Sequence, residues 1–138
     1  MAVAMPRAWA GPATDALSTC LTDSTTGKDR KELARWVYAG MSAHPEIRNL
    51  SKVTGEARDG FDRGMADILT RLLTESCNSE AARALEDEGA TSFEIAFGSV
   101  GKLAMQELMS NPEVEAAFGG YEKYVDPAKF EAAFARGR

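Results

Sequence analysis

Apolar and small residues recur at helical spacing in the segment that follows a polar turn near residue 25. They fall on one helix face with the spacing i, i+3, i+4, i+7 and i+8: Leu33, Trp36, Val37, Gly40 and Met41. Thr26, followed three residues later by Asp29, resembles a capping box at the start of this segment. The pattern predicts a helix that runs to about His44 and stops before Pro45, because proline disfavours the helical conformation in the residue before it.

A longer apolar stripe predicts a central helix over residues 55–77. Its core-facing positions are Ala57, Phe61, Met65, Ile68, Leu69 and Leu72. Leu73 and Cys77 are expected on a flanking edge of the same helix. A short acidic helix from about Ser79 to Glu88 should follow and end at Gly89 as a C-terminal cap glycine.

Four further helices complete the prediction. Leu17 and Leu21 share one face of a short first helix with Cys20. Thr91 and Glu94 form the pattern of a capping box for a helix that extends to about Met109. Asn111-Pro112 and Asp126-Pro127 each combine a capping side chain with proline at the first helical position, which predicts two short C-terminal helices.

The pattern as a whole predicts an all-α fold. No segment shows sustained apolar/polar alternation bounded by hairpin turns. The chain has 23 alanines against six valines and three isoleucines, which favours helix over sheet. At 138 residues, the expected architecture is a single-domain bundle over residues 13–138, with about seven helices of which three are long.

Five glycines inside the predicted helices are unusual, because glycine destabilises a helix interior relative to alanine. They are Gly40, Gly60, Gly64, Gly98 and Gly101. Close approach of neighbouring helices is the expected reason, and a break in the fifth helix at residues 98–101 is the alternative.

The first twelve residues predict a flexible tail or the remnant of a signal peptide. Ala8-Trp9-Ala10 has the small-x-small form of a signal-peptidase site, and Pro6 stands where the apolar segment of a signal peptide usually stops. We therefore expect an exported, periplasmic or secreted protein whose true start lies upstream of Met1. The alternative is an alanine-rich tail on a cytoplasmic protein.

The two cysteines, Cys20 and Cys77, lie 57 positions apart on different predicted helices. With one histidine in the chain, no Cys/His zinc site can be completed. In an exported protein such a pair is expected to form one disulfide, and two buried free thiols in a cytoplasmic core are the alternative.

Composition excludes several functional classes. The net charge of −5 gives no electrostatic basis for nucleic-acid binding. No apolar run approaches the roughly 18–20 residues needed to cross a bilayer. No metal-binding motif or cofactor motif is present, so neither a metal nor a cofactor is expected.

Charge and aromatic residues indicate a candidate interaction surface. The segment from Glu75 to Glu94 holds six acids and one base, Arg83, so its net charge equals that of the whole chain. An acidic patch can steer a basic partner, although a solvated helix face is the alternative. The candidate surface comprises Glu80, Glu86, Asp87, Glu88, Tyr121 and Tyr124.

No motif in the chain identifies a reaction. The expected function is therefore that of a non-enzymatic, exported helical module that binds a protein partner. The alternative is a small-ligand carrier or an enzyme with an apolar pocket between helices. That pocket would be lined by Trp36, His44, Phe61 and Phe97, with His44 as the only side chain whose ordinary pKa lies near neutrality.

Overall fold

The computed structural model describes residues 11–135, and the predicted all-α class is confirmed across them. No strand occurs in this range. Between residues 11 and 135 the structure has seven α-helices: α1 (Pro12–Ser24), α2 (Gly27–Met41), α3 (Gly55–Arg71), α4 (Asn78–Glu88), α5 (Thr91–Met109), α6 (Pro112–Gly119) and α7 (Pro127–Ala135). A π-helical turn spans Leu72–Ser76, and 3-10 turns span Arg48–Leu50 and Gly120–Tyr124. The predicted tail falls mostly on residues outside the described range, including Ala8-Trp9-Ala10.

The chain divides into two compact units, residues 1–107 and residues 108–138. The N-terminal unit contains α1 to α4 and nearly all of α5. Within it, α1 packs mainly against α4 and α2 packs mainly against α3. The C-terminal unit contains α6, the second 3-10 turn and α7.

Part of the predicted apolar stripes forms the core of the N-terminal unit, but the stripe predicted for α2 is wrong at Trp36, Gly40 and Met41, which are exposed. Leu17 and Leu21 of α1 are fully buried, and Leu33, Ile68 and Val100 are each 2% exposed. Complete burial of one such side chain stabilises a fold by about 1.5–3 kcal/mol. The helices of this unit are therefore held by their apolar faces more than by helix propensity.

The capping box predicted at the start of α2 is confirmed. The Asp29 N–H donates to the Thr26 hydroxyl, and the Thr26 N–H donates to the Asp29 carboxylate, each at 3.0 Å. The Asp29 carboxylate also pairs with the Arg71 guanidinium of α3. Burial by itself raises the pKa of Asp29, but the hydrogen bonds from Thr26 and Arg71 outweigh burial and lower that pKa.

The other end of α2 differs from the prediction, because the helix ends at Met41 and not at His44. Arg58 of α3 donates to the Ala39 carbonyl at 3.3 Å and to the Ser42 hydroxyl at 3.0 Å. These bonds supply donors to the last turn, so α2 ends where a neighbouring helix satisfies it.

At the end of α4, the predicted C-terminal glycine is confirmed. Gly89 has φ of +79°, a backbone conformation that residues other than glycine rarely adopt. The next helix departs from the prediction, since α5 already includes Thr91 as its first residue and the Thr91–Glu94 box is out of register. The Ser92 hydroxyl instead donates to the Gly89 carbonyl at 2.6 Å.

The predicted pair of cysteines is confirmed at disulfide distance. The sulfur atoms of Cys20 and Cys77 lie 2.04 Å apart and the Cα atoms 5.9 Å apart. Cys77 is reached through the π-helical turn, in which its N–H donates to the Leu72 carbonyl five residues earlier at 2.7 Å. Leu72 and Cys77 are both fully buried, and the half-buried Leu73 packs against the same core.

The expected reason for the internal glycines is wrong at four of the five positions. A Cβ atom placed at Gly40, Gly60, Gly98 or Gly101 would have no heavy atom within 4 Å beyond its own surroundings in the helix. Of the five, only Gly64 is approached closely: a Cβ atom added there would lie 3.1 Å from a carboxylate oxygen of Glu32. The alternative of a break is also wrong, because α5 is continuous through residues 98–101.

Candidate functional site

An open apolar hollow of about 280 Å³ lies between α2, α3 and α5 of the N-terminal unit. We call it the apolar groove. Its lining consists of Leu33, Trp36, Val37, Met65, Leu69, Phe97, Val100, Gly101 and Ala104. Every one of these residues is apolar or glycine.

The groove is built by the same periodicity that forms the core. Three residues of α2 at positions i, i+3 and i+4, two of α3 at i and i+4, and four of α5 at i, i+3, i+4 and i+7 face one another. Leu33, Val100 and Ala104 are at most 2% exposed and form the floor. Trp36 is 36% exposed and stands at the rim. The floor of the groove is therefore part of the buried core, whereas its rim is open to solvent.

Trp36 is held by a hydrogen bond between helices. Its indole N–H donates to a carboxylate oxygen of Asp62 on α3 at 3.0 Å. An indole has only this one donor, so its hydrogen-bonding capacity is satisfied. The ring therefore meets the groove with its apolar surface, and its position is fixed from α3.

The structure brings together two of the four predicted pocket residues. Trp36 and Phe97 line the groove from α2 and α5. Phe61 is half-buried on α3 and is not among the lining residues. His44 lies beyond the end of α2, is exposed, and accepts a hydrogen bond on Nδ1 from the Glu46 N–H at 3.0 Å. The groove thus forms without the histidine that the prediction placed in it.

Sequence reasoning missed Gly101 as a groove residue. It follows Phe97 by four positions and precedes Ala104 by three, so it belongs to the same helix face. The available signal was a glycine on an otherwise apolar helix face, because glycine leaves space where an apolar side chain would be expected.

Of the acidic residues in the candidate interaction surface, Glu88 has a structural partner. Its carboxylate accepts the Ala13 and Thr14 N–H groups at 3.0 Å each, together with the Thr14 hydroxyl. Glu88, the last residue of α4, thereby caps α1. A Cβ atom at Gly11 would overlap this carboxylate, so the close approach requires glycine there.

This cap also lowers the pKa of Glu88. The hydrogen bond from the Thr14 hydroxyl is the largest cause, and the N–H groups of α1 add to it. Burial opposes the change to a smaller extent. The charged form of Glu88 is therefore the form that stabilises the start of α1.

The remaining residues of the candidate interaction surface are distributed over both units. Glu86 and Asp87 are exposed on α4, and Glu80 is half-buried. Tyr121 and Tyr124 of the C-terminal unit are 65% and 82% exposed. The described part of that unit contains no buried residue, and three further aromatic side chains in it are at least 50% exposed: Phe118, Phe130 and Phe134.

The chain matches no protein-family model, no curated protein and no solved structure. Between residues 11 and 135, no helix is both long and apolar enough to cross a membrane. In the same part of the chain, no group of three or more histidine, cysteine, aspartate or glutamate side chains is arranged to hold a metal ion.

Proposed function

We propose that this protein is a non-enzymatic binding module that holds a small apolar ligand in the apolar groove. One observation carries the proposal: three apolar helix faces converge around about 280 Å³ of open space and do not close over it. Ligand sites are typically concave and mostly apolar, and this groove lies just below their usual range of about 300–1,000 Å³. Removal of an apolar ligand surface from water is the driving force for binding.

The lining also favours binding over catalysis. None of the nine lining residues carries a nucleophile or a group that exchanges a proton near neutral pH. Asp62, the carboxylate nearest to Trp36 by hydrogen bond, is already engaged by the indole. The sequence predicted a module that binds a protein partner, with a small-ligand carrier or an enzyme as the alternative. We therefore favour the small-ligand carrier.

Export to an oxidising compartment belongs to the same proposal. The Cys20–Cys77 pair supports it, because disulfides persist mainly in secreted and periplasmic proteins. The signal-peptidase pattern at Ala8-Trp9-Ala10 supports it from the sequence. The cytoplasmic alternative would require the two thiols to be reduced in the native host, which mass spectrometry of the protein purified from that host would establish.

Binding can be tested with N-phenyl-1-naphthylamine, an uncharged probe that fluoresces in apolar surroundings. We expect its emission to rise when the full chain is added, and we expect Trp36→Ala to weaken binding because it removes one wall. Tyr38→Ala is the matched control, since Tyr38 lies on the same helix, is 46% exposed and does not line the groove. No saturable signal from the wild type, or equal affinity of Trp36→Ala and wild type, would contradict the proposal.

A second candidate is a protein-binding surface on the C-terminal unit. Its support is the exposure of Tyr121 and Tyr124 within a unit that buries no described residue, since exposed aromatic clusters mark interaction sites. Chemical crosslinking in an extract of the native host would test it. We expect a Tyr121→Ser/Tyr124→Ser variant to lose its crosslinked product and a Glu86→Lys/Asp87→Lys variant to keep it. The opposite result would favour the acidic residues of α4.

A further inference from the structure

We infer that Gly101 sets the size of the ligand that the apolar groove accepts. This inference rests on the proposed function and goes further, because it names the residue that selects the ligand and the class of ligand selected. The class is an uncharged, slender group of one to three aromatic rings or a short alkyl chain.

The first argument is the position of Gly101 on α5. It lies on the groove face between Val100 and Ala104 and one helical turn from Phe97. Glycine is the least favourable residue in a helix interior apart from proline, so its presence here weakens α5. A face whose purpose was only to pack would gain stability from a larger apolar residue at this point.

The second argument is the space around it. A Cβ atom at Gly101 would meet no heavy atom within 4 Å outside its own surroundings in the helix. Because Gly101 lines the groove, the volume that its missing side chain leaves belongs to the groove. Close helix packing, the ordinary reason for a glycine inside a helix, does not apply at this position.

The chemistry of the ligand follows from the lining. No lining side chain carries a charge, and burial of an unpaired charge is strongly unfavourable. Charge complementarity therefore calls for an uncharged occupant. Because Gly101 has no side chain, an aromatic ring or an extended chain can approach the backbone of α5 there without meeting one.

Gly98 provides a matched control within the same helix. It is also exposed, and a Cβ atom there would likewise meet no heavy atom within 4 Å, but Gly98 does not line the groove. A substitution at residue 98 changes helix propensity as much as the same substitution at residue 101. A difference in binding between the two therefore reports the groove.

The experiment compares the full-length variants Gly101→Ala, Gly101→Leu, Gly98→Ala and Gly98→Leu. Binding of N-phenyl-1-naphthylamine is measured by its fluorescence, binding of the smaller indole by calorimetry, and folding by circular dichroism. One methylene in an apolar pocket changes discrimination on the order of tenfold or more, so we expect Gly101→Ala to weaken the larger probe by about tenfold. Gly101→Leu should abolish its binding, and Gly101→Ala should affect indole less. Both residue-98 variants should bind as the wild type does.

The possible failures are distinguishable. If the wild type binds neither probe, the proposed function and this inference both fall. If Trp36→Ala weakens binding but Gly101→Ala and Gly101→Leu bind as the wild type does, the groove keeps its function and the role of Gly101 is refuted. Equal loss of binding in the Gly98 and Gly101 variants would also overturn the inference, because the effect would then come from the helix and not from the groove.

Discussion

Reduction of the Cys20–Cys77 pair should destabilise the protein by about 4 kcal/mol, on the loop-closure account of disulfides. The magnitude follows from the sequence separation of 57 residues. Closing a loop of this length removes about 14 cal/mol/K of entropy from the unfolded chain, or about 4 kcal/mol at 25 °C. Folded domains are stable by only about 5–15 kcal/mol in total, so this loss is a large share.

The assay is urea unfolding followed by circular dichroism, with and without a phosphine reductant. Oxidised and reduced wild type differ only in the disulfide and its two hydrogens, so the comparison introduces no cavity. The variant Cys20→Ala/Cys77→Ala serves as a second reduced reference that cannot reoxidise. In thermal unfolding of the same two forms, the midpoint temperature should fall by about 10–30 °C on reduction.

A loss of less than about 1 kcal/mol would refute the loop-closure reasoning, because the entropy of a loop this long cannot be that small unless the unfolded chain is already restricted. Thiols that react in the native protein before any reductant is added would refute the pairing itself.

Further predictions concern the helix caps and one glycine in a helix interior. Asp29→Asn should cost about 1–2 kcal/mol in urea unfolding, because the capping box and the pair with Arg71 are both weakened; an unchanged midpoint would show that neither contributes. The lowered pKa values of Asp29 and Glu88 mean that the folded state binds protons more weakly than the unfolded state, so stability should be full at neutral pH and fall as the pH drops through about 4 and below. Glu88→Gln should lower the urea midpoint at pH 7 and flatten this acid dependence, and a variant with the wild-type pH profile would exclude the cap of α1 as its source. Gly89→Ala should cost about 1–3 kcal/mol because of its positive φ, whereas Gly40→Ala in the open interior of α2 should stabilise by about 0.5–1 kcal/mol; the same sign in both would be inconsistent with the backbone argument.

Features with local causes were predictable from the sequence. The capping box at Thr26 and Asp29 and the cap glycine Gly89 each depend on residues a few positions apart. With two cysteines in the chain, only one intramolecular pairing was available for Cys20 and Cys77. The apolar stripes predicted part of the core, since Leu33 and Ile68 are buried, whereas Trp36 and Met41 of the α2 stripe are exposed.

Features set by distant residues were not predictable in this way. Glu88 caps α1 from 74 and 75 positions away, and Arg58 helps to end α2 from a neighbouring helix. Periodicity also does not say how closely helices pack. Trp36 and Phe97, on different helices, were therefore predicted to line a pocket, and only the packing of α2, α3 and α5 leaves an open groove there.

The π-helical turn at Leu72–Ser76 makes the length of this stretch more important than its composition. In a regular α-helix, residues five positions apart point about 140° away from each other, yet Leu72 and Cys77 are both buried here. Thr74, Glu75 and Ser76 are exposed, so their side chains are free to vary. Deletion of one of the three would remove the extra residue and restore a regular α-helix, in which Leu72 and the cysteine, then four positions apart, share a face. Insertion of a further residue would instead rotate Cys77 by about 100° around the helix axis, away from Cys20. Among natural variants of this chain, substitutions should therefore accumulate across these three positions, while insertions should be eliminated.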